Sequence, residues 1–286
     1  MKIKSCLYYF GLSCLPLSLM SLINIFYSLY FNYLENLNSY IFVLFLSLVL
    51  GLIFIYLGKK EKELITIYEQ LFLIFLIYFL ISFFILIPFH FSGYEVSLID
   101  SYFESISGLT GTGFTIFESI KNLDQPLILW RSSSQWIGGF YFLIFLVLIF
   151  SNKQVNFKML NFSFNLEKKI NFSSNLINVT NRIFLIYLSI TVLIFSLFLI
   201  SGIRIFDSLN LTMTVISSGG FLPTDSLNSI IRNNLQSLTL CFAFLISILN
   251  FYLIYNFILE RDNVRKHNED VYLVILILIF SLIFYF

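Results

Sequence analysis

Two short segments of this chain combine glycine and hydroxyl residues in a way that could bind a dehydrated cation. The segment DSYFESISGLTGTGF, over 100–114, recurs 107 residues later as DSLNLTMTVISSGGF, over 207–221. A monovalent cation that leaves water needs several oxygen dipoles, and backbone carbonyls supply them without the trapping that carboxylates would cause. Glycine permits the conformations that aim successive carbonyls to one side. The candidate ligands are the carbonyls of Thr110, Gly111, Thr112 and Gly113 in the first turn and of Ser217, Ser218, Gly219 and Gly220 in the second.

Acidic residues stand near the start of each segment, where short helices are predicted over about 97–109 and 205–216. Asp100 and Asp207 would cap free N–H groups there and complement the helix dipole, and they could also attract cations to an outer mouth. Glu104 lies one turn further and is expected to face the same polar interior as a satisfied structural carboxylate rather than an ion ligand. The negative C-terminal ends of both helices would favour a cation at the turns.

The composition indicates lipid as the solvent of most of the chain. Hydrophobic residues make up 58% and charged residues 12%, against about 25% charged in soluble domains. The net charge of +1 indicates no nucleic-acid partner. Three cysteines without CxxC spacing and two histidines provide no metal or thiol chemistry, so no cofactor is expected. A membrane-embedded enzyme or a receptor-like protein is the less favoured alternative, because no apolar segment carries a cluster of His, Asp or Cys.

Six segments are long enough to cross about 30 Å of hydrocarbon, which takes roughly 20 residues each. They lie near 7–30, 40–58, 70–90, 127–150, 182–202 and 235–259. A seventh apolar segment begins at Val271, and its 16 residues would rise only about 24 Å as a helix. The glycine-containing turns fall between these segments. A turn at membrane depth is tolerated only where it is buried in protein or lines a watery cavity.

The offset of 107 residues also carries 70–90 to 177–197 and 127–150 to 234–257, which overlap the spans at 182–202 and 235–259. It therefore predicts two parallel units of helix, pore helix, turn and helix. The predicted fold is an all-α polytopic membrane protein: an N-terminal helix pair, two such repeats, and a stop at the start of a third. The boundaries are 1–62 for the pair, 63–151 for the first pore-loop repeat, 152–180 for a cytoplasmic linker, 181–260 for the second repeat and 261–286 for the start of the third.

The distribution of basic residues predicts the orientation in the membrane. With the N-terminus in the cytoplasm, only four of the 17 basic residues fall outside, namely Lys121, Arg131, Arg204 and Arg232. The positive-inside rule favours this arrangement, which places both glycine turns toward the exterior. The basic linker would then be a solvated cytoplasmic loop or a docking surface for a cytosolic subunit.

Three segments, SYFESISGLTGTGFT, LILWRSSSQWIGG and IFDSLNLTMTVISSGGF, resemble the Trk/Ktr/HKT superfamily of potassium transporters, most closely the bacterial Trk membrane subunit. The resemblance covers nearly all of this chain and about the N-terminal half of a family member. It implies a helix pair followed by four pore-loop units around one potassium pathway in the cell inner membrane. This chain would hold two of the four units.

The resemblance also implies roles for individual residues. Gly113 and Gly220 fall on the selectivity-filter glycines of the family, flanked by Thr112, Phe114, Gly219 and Phe221. The start of the second helix in the first unit matches at Arg131, Gln135, Trp136, Gly138 and Gly139. Arg131 would either snorkel at the outer interface or pair with an acidic group. Tyr141 stands where the family usually has a small residue, so a close helix contact is expected to be lost.

The function that the resemblance implies is passive or gradient-driven potassium transport, with no covalent chemistry and no cofactor beyond the transported ion. The expected partners are membrane lipid and either a separately encoded second half or a second copy of the chain. Family members often work with a cytosolic nucleotide-binding regulatory subunit. The alternative is an incomplete or non-functional fragment of such a transporter.

Overall fold

A computed structural model describes residues 3–59, 66–150 and 172–248, together with positions 272, 275, 276 and 279. Within these ranges the chain forms eight α-helices and two short 3₁₀ turns, and it forms no strand. The helices are α1 (Ile3–Tyr30), α2 (Leu37–Gly58), α3 (Ile67–His90), α4 (Leu98–Thr110), α5 (Gln125–Phe150), α6 (Phe172–Ile200), α7 (Ile205–Ile216) and α8 (Asn234–Ile248).

The first two helices form a tightly packed antiparallel hairpin. A Cβ atom on Gly11 of α1 would lie 2.7 Å from the Gly51 carbonyl oxygen of α2, so this crossing accepts no side chain at position 11. Small residues at such crossings let helix backbones approach closely in lipid, where van der Waals packing is a main source of association energy. The hairpin then packs against α3 and α5.

The remaining helices follow an order of long, short and long that occurs twice. The short helix α4 packs between α3 and α5, and the short helix α7 packs against α5, α6 and α8. One apolar core is formed by residues of the first five helices and of part of α6. A second apolar core is formed by residues of α6, α7 and α8. Since α5 contacts both short helices, it is the element that positions one turn relative to the other.

Four described helices are long and apolar enough to cross a membrane: α1, α2, α3 and the part of α6 over Thr180–Ile200. Their outer faces carry large apolar side chains such as Phe45 and Phe75, whose exposed fractions of 69% and 66% suit contact with lipid. The other two predicted spans coincide with α5 and, as far as it is described, α8. Neither α5 nor the described part of α8 meets the criteria of length and hydropathy that the four helices meet.

The helix α6 begins at Phe172, inside the predicted linker of 152–180, and the part of it that is long and apolar enough to cross a membrane begins at Thr180. The boundaries predicted for the helix pair, the linker and the repeats stay a prediction. The rest of the predicted linker and most of the segment from Val271 lie outside the described residues.

Candidate functional site

The two short helices begin differently from the prediction. Ser97 is the N-cap of α4, and its hydroxyl accepts a 3.1 Å hydrogen bond from the Asp100 backbone N–H and donates to the Asp100 carboxylate at 2.7 Å. Asp207 accepts a 2.9 Å bond from Arg204 Nε, and the N-cap of α7 makes no side-chain capping bond. The predicted capping by the two carboxylates is therefore wrong, because each lies three residues inside, where it binds the residue at the cap position.

Both short helices end in turns with the same unusual backbone. Gly111 and Ser218 have φ angles of 68° and 53°, and Gly113 and Gly220 have φ angles of 79° and 84°. All four lie in the left-handed region, which costs a residue with a Cβ roughly 1–2 kcal/mol. The members of each pair stand at the 107-residue offset. The first turn (110–113) and the second turn (217–220) thus share a positive φ at their second and fourth residues.

Each turn is also fixed to its own helix by a hydroxyl side chain. Ser107 Oγ donates to the Phe114 carbonyl at 2.5 Å, and Thr214 Oγ1 donates to the Phe221 carbonyl at 2.7 Å. These bonds are again related by the 107-residue offset. The carbonyl of the residue directly after each turn is therefore bound by the short helix that precedes that turn.

The two turns contact each other through their backbones. A Cβ atom on Gly113 would overlap the Gly219 carbonyl oxygen and lie 3.3 Å from Gly220 Cα. A Cβ atom on Gly111 would lie 3.5 Å from the Ser217 carbonyl oxygen. The structure therefore brings the two predicted ligand segments together at one place, and glycine at position 113 is required by space as well as by φ.

The eight predicted ligand residues differ in accessibility. Thr110, Thr112, Ser218 and Gly220 are exposed, and Gly111, Gly113 and Ser217 are partly exposed. Gly219 is buried, and its carbonyl accepts a 2.5 Å hydrogen bond from Gln135 Nε2 on α5. Seven of the eight residues are thus at least partly accessible, whereas the Gly219 carbonyl is bound by Gln135.

A buried ion pair lies beside the turns. Arg131 Nε on α5 donates to Glu104 Oε1 on α4 at 2.7 Å, and the two side chains are 1% and 0% exposed. The other Glu104 oxygen accepts from the Ile116 backbone N–H at 2.9 Å. Thr115 Oγ1 donates to Glu104 at 3.1 Å and accepts from Arg131 Nη2 at 3.0 Å. Each oxygen of the Glu104 carboxylate thus has a partner within the protein, and of the two alternatives for Arg131 the structure has the pairing.

Arg131 also reaches the segment after the second turn. Its guanidinium carbon lies 4.3 Å from the centre of the Phe221 ring, and Nη1 donates to the Leu222 carbonyl at 3.4 Å. A guanidinium over an aromatic face gains about 2 kcal/mol or more where it is desolvated. One side chain therefore holds the segments that leave both turns.

Glycines of α5 bring this helix against the ends of both short helices. A Cβ atom on Gly138 would overlap the Leu109 carbonyl oxygen of α4, and one on Gly139 would lie 2.9 Å from Ser217 Cβ. The contact expected to be lost at Tyr141 is replaced by another, because the buried Tyr141 hydroxyl donates to the Ser13 carbonyl of α1. The larger side chain thus joins α5 to the N-terminal hairpin.

The loops that follow the turns are joined by Asp225. Its Oδ1 atom accepts from the backbone N–H groups of Ile120 at 2.6 Å and Lys121 at 3.3 Å, and Oδ2 lies 3.7 Å from Lys121 Nζ. Desolvation raises the pKa of the Asp225 carboxyl, but these hydrogen bonds and the lysine charge outweigh it, so the pKa lies below its ordinary value. The Asp225 carboxylate therefore stays ionised and holds the two loops together at neutral pH.

Comparison with known proteins finds relatives that are named as cation or potassium transporters. No protein-family model matches the chain. An uncharacterized cation transporter of Methanocaldococcus jannaschii is 35% identical over 134 residues, which are 47% of this chain and 28% of that protein. The Trk system potassium uptake protein TrkH of Escherichia coli K12 is 26% identical over 188 residues, which are 64% of this chain and 38% of that protein.

A solved structure shares the fold. The crystal structure of the potassium transporter TrkH from Vibrio parahaemolyticus superposes with a TM-score of 0.74 and 22% identity, over 89% of this chain and 52% of that chain. The chain thus spans about half of the solved relative and less of the two sequence relatives. Together with the four apolar helices, these matches confirm the predicted resemblance to the Trk family of potassium transporters and show a multi-pass membrane protein.

Proposed function

We propose that this chain carries potassium across the cell inner membrane as part of a Trk-type uptake system, and that backbone carbonyls of its two turns form half of a selectivity filter. In this proposal α3–α5 and α6–α8 are two parallel pore-loop repeats, and α4 and α7 are their pore helices. The observation that carries it is the meeting of two glycine turns with matching φ angles at the contact of Gly113 with Gly219 and Gly220.

The charges around the turns support a cation that passes without being trapped. Glu104 is neutralised by Arg131, so no free carboxylate from this pair faces the turns. Asp100 and Asp207 lie at the far ends of their helices. What remains at the turns is carbonyl dipoles, hydroxyl groups and the partially negative C-terminal ends of α4 and α7. Such groups replace a hydration shell while leaving the binding weak enough for conduction.

The site is incomplete in one copy of the described residues. Two turns surround an ion on two sides only, and Phe114, next to the first turn, is 69% exposed. An ion there would keep part of its water shell. Closure requires further units, for which we propose a separately encoded second half or, less favoured, a second copy of this chain. A cytosolic nucleotide-binding subunit belongs to the same proposal as a regulatory partner.

Potassium uptake by cells that lack their own uptake systems tests the proposal. Cells that produce this chain with its second half should grow at low potassium and prefer potassium to sodium. Gly220→Ser should lower that preference about tenfold, which corresponds to about 1.4 kcal/mol of differential binding.

The matched control is Gly202→Ser. Gly202 has the same φ of 84°, and a Cβ atom on it would have no neighbour within 4 Å, so this variant tests backbone strain alone. It should keep the preference for potassium. Equal ion preferences in the wild type and in Gly220→Ser would show that the second turn is not part of the filter.

A further inference from the structure

We propose that Gln135 is a positioning residue that fixes the backbone of the second turn and thereby sets the cation preference of the pathway. This inference rests on the proposed function. Gln135 lies in one of the segments that resemble the family, but the resemblance assigns no function to it. The signal in the sequence is an amide side chain one helical turn after Arg131, within an apolar helix.

The Gln135 amide contacts the second turn on both sides of Gly220. Nε2 donates to the Gly219 carbonyl at 2.5 Å, and Oε1 accepts from the Phe221 backbone N–H at 3.2 Å. Gln135 is 0% exposed, so water does not substitute for these bonds. Neither peptide group of Gly220 can rotate without breaking one of them.

A fixed turn matters because Gly220 does not fix itself. Glycine populates left-handed and right-handed backbone conformations about equally, so its φ of 84° must be imposed by its surroundings. A filter distinguishes ions through the number and direction of its carbonyl dipoles. The amide that holds the residues on either side of Gly220 therefore controls the direction of the carbonyls there.

The contact joins two different units. Gln135 lies on the last helix of the first unit and binds the turn of the second. At the 107-residue offset, α8 has Phe242, which is 53% exposed and offers no hydrogen bond. Phe221 beside the second turn is 1% exposed, against 69% for Phe114 beside the first. Among the described residues, the contact of a buried amide side chain with a turn therefore occurs at the second turn and not at the first.

The identity of residue 219 follows from the same contact. The three atoms nearest to a Cβ atom on Gly219 would be Cδ, Oε1 and Nε2 of Gln135. All three would lie closer to it than van der Waals contact allows. Gly219 does not have a positive φ, so alanine is compatible with its backbone. Gly219 is therefore small in order to admit the Gln135 amide, which predicts that substitutions at the two positions are coupled.

A double-mutant cycle tests that coupling on the purified full chain. Gly219→Ala alone should lower the midpoint of thermal unfolding, because the new methyl group displaces the amide. Gln135→Ala alone should lower it as well. The double variant should be no less stable than Gln135→Ala, since the methyl group then occupies vacated space. Additive losses would overturn the assignment of Gln135 to this contact.

Amide exchange and ion preference test the consequence. In Gln135→Leu, the Phe221 N–H should exchange at least about tenfold faster, and the potassium-to-sodium uptake ratio of the complete system should fall by about the same factor. The matched control is Gln236→Leu, which removes a buried glutamine of α8 that binds the Arg232 N–H and the Ser201 carbonyl. The control should change neither quantity.

The outcomes separate this inference from the proposed function. An unchanged uptake ratio in Gln135→Leu, with a selective wild type, would overturn the inference and leave the function in place. A wild type without preference for potassium would overturn the proposed function and, with it, the selectivity role. In that case exchange at Phe221 still decides whether Gln135 holds the turn.

Discussion

Replacing Gly113 by serine is expected to remove most of the discrimination between potassium and sodium. The φ of 79° costs a residue with a Cβ about 1–2 kcal/mol. The added atom also overlaps the Gly219 carbonyl oxygen, and overpacking of this kind typically costs about 1–3 kcal/mol. Because the obstacle is the backbone of the other turn, relief requires the two turns to separate, which changes the geometry on both sides of the pathway.

The measurement for Gly113→Ser is the potassium-to-sodium uptake ratio of the complete system, with membrane insertion followed in parallel. Insertion should be normal, since the change affects one turn and no spanning helix. Gly202→Ser again serves as the control for backbone strain. A selective system with Gly113→Ser would show that the contact between the turns does not shape the filter.

Removing one partner of the buried ion pair should produce the largest loss of stability. Arg131→Met leaves Glu104 buried without its cation, and breaking such a pair on one side costs about 3–5 kcal/mol. Arg131 also holds Thr115 and the Leu222 carbonyl, so the segments after both turns should loosen together. Lys121→Met is the matched control. Its pair with Asp225 is 3.7 Å long and the lysine is 73% exposed, so a loss of at most about 1 kcal/mol is expected.

The free energy of unfolding in mixed micelles measures these losses. Glu104→Gln combined with Arg131→Met should recover part of the stability that Arg131→Met alone loses, because it removes the uncompensated charge. Similar losses in Arg131→Met and Lys121→Met would contradict the assignment of the buried pair as a main support of the turns.

The sequence predicted the elements around the turns closely. The short helices predicted over 97–109 and 205–216 agree with α4 and α7 to within one residue at each end. This agreement is expected, because a polar residue at the start of a helix and a glycine after its end are local sequence signals. The four membrane-spanning candidates also lie where hydropathy places them. The helix α6 begins before the predicted span at 182–202, at Phe172, because polar residues extend it beyond its apolar part.

The contacts between the units could not be predicted. Gln135 binds Gly219 from 84 positions away, and Arg131 reaches Leu222 from 91 positions away. The sequence shows polar side chains in an apolar helix, which need partners there, but it does not identify those partners. The engagement of the Gly219 carbonyl and the pairing of Arg131 with Glu104 follow only from how α5 lies between the two short helices.

Cation flux into liposomes that contain the purified chain, with its oligomeric state determined in the same preparation, tests the central claim most directly. The claim is that the two turns form part of a potassium filter that further pore-loop units complete. We expect no selective flux from monomers, and we expect potassium to exceed sodium by about tenfold once the second half or a second copy completes the site. Selective flux from a demonstrably monomeric preparation, or flux through the completed assembly that does not distinguish potassium from sodium, would contradict it.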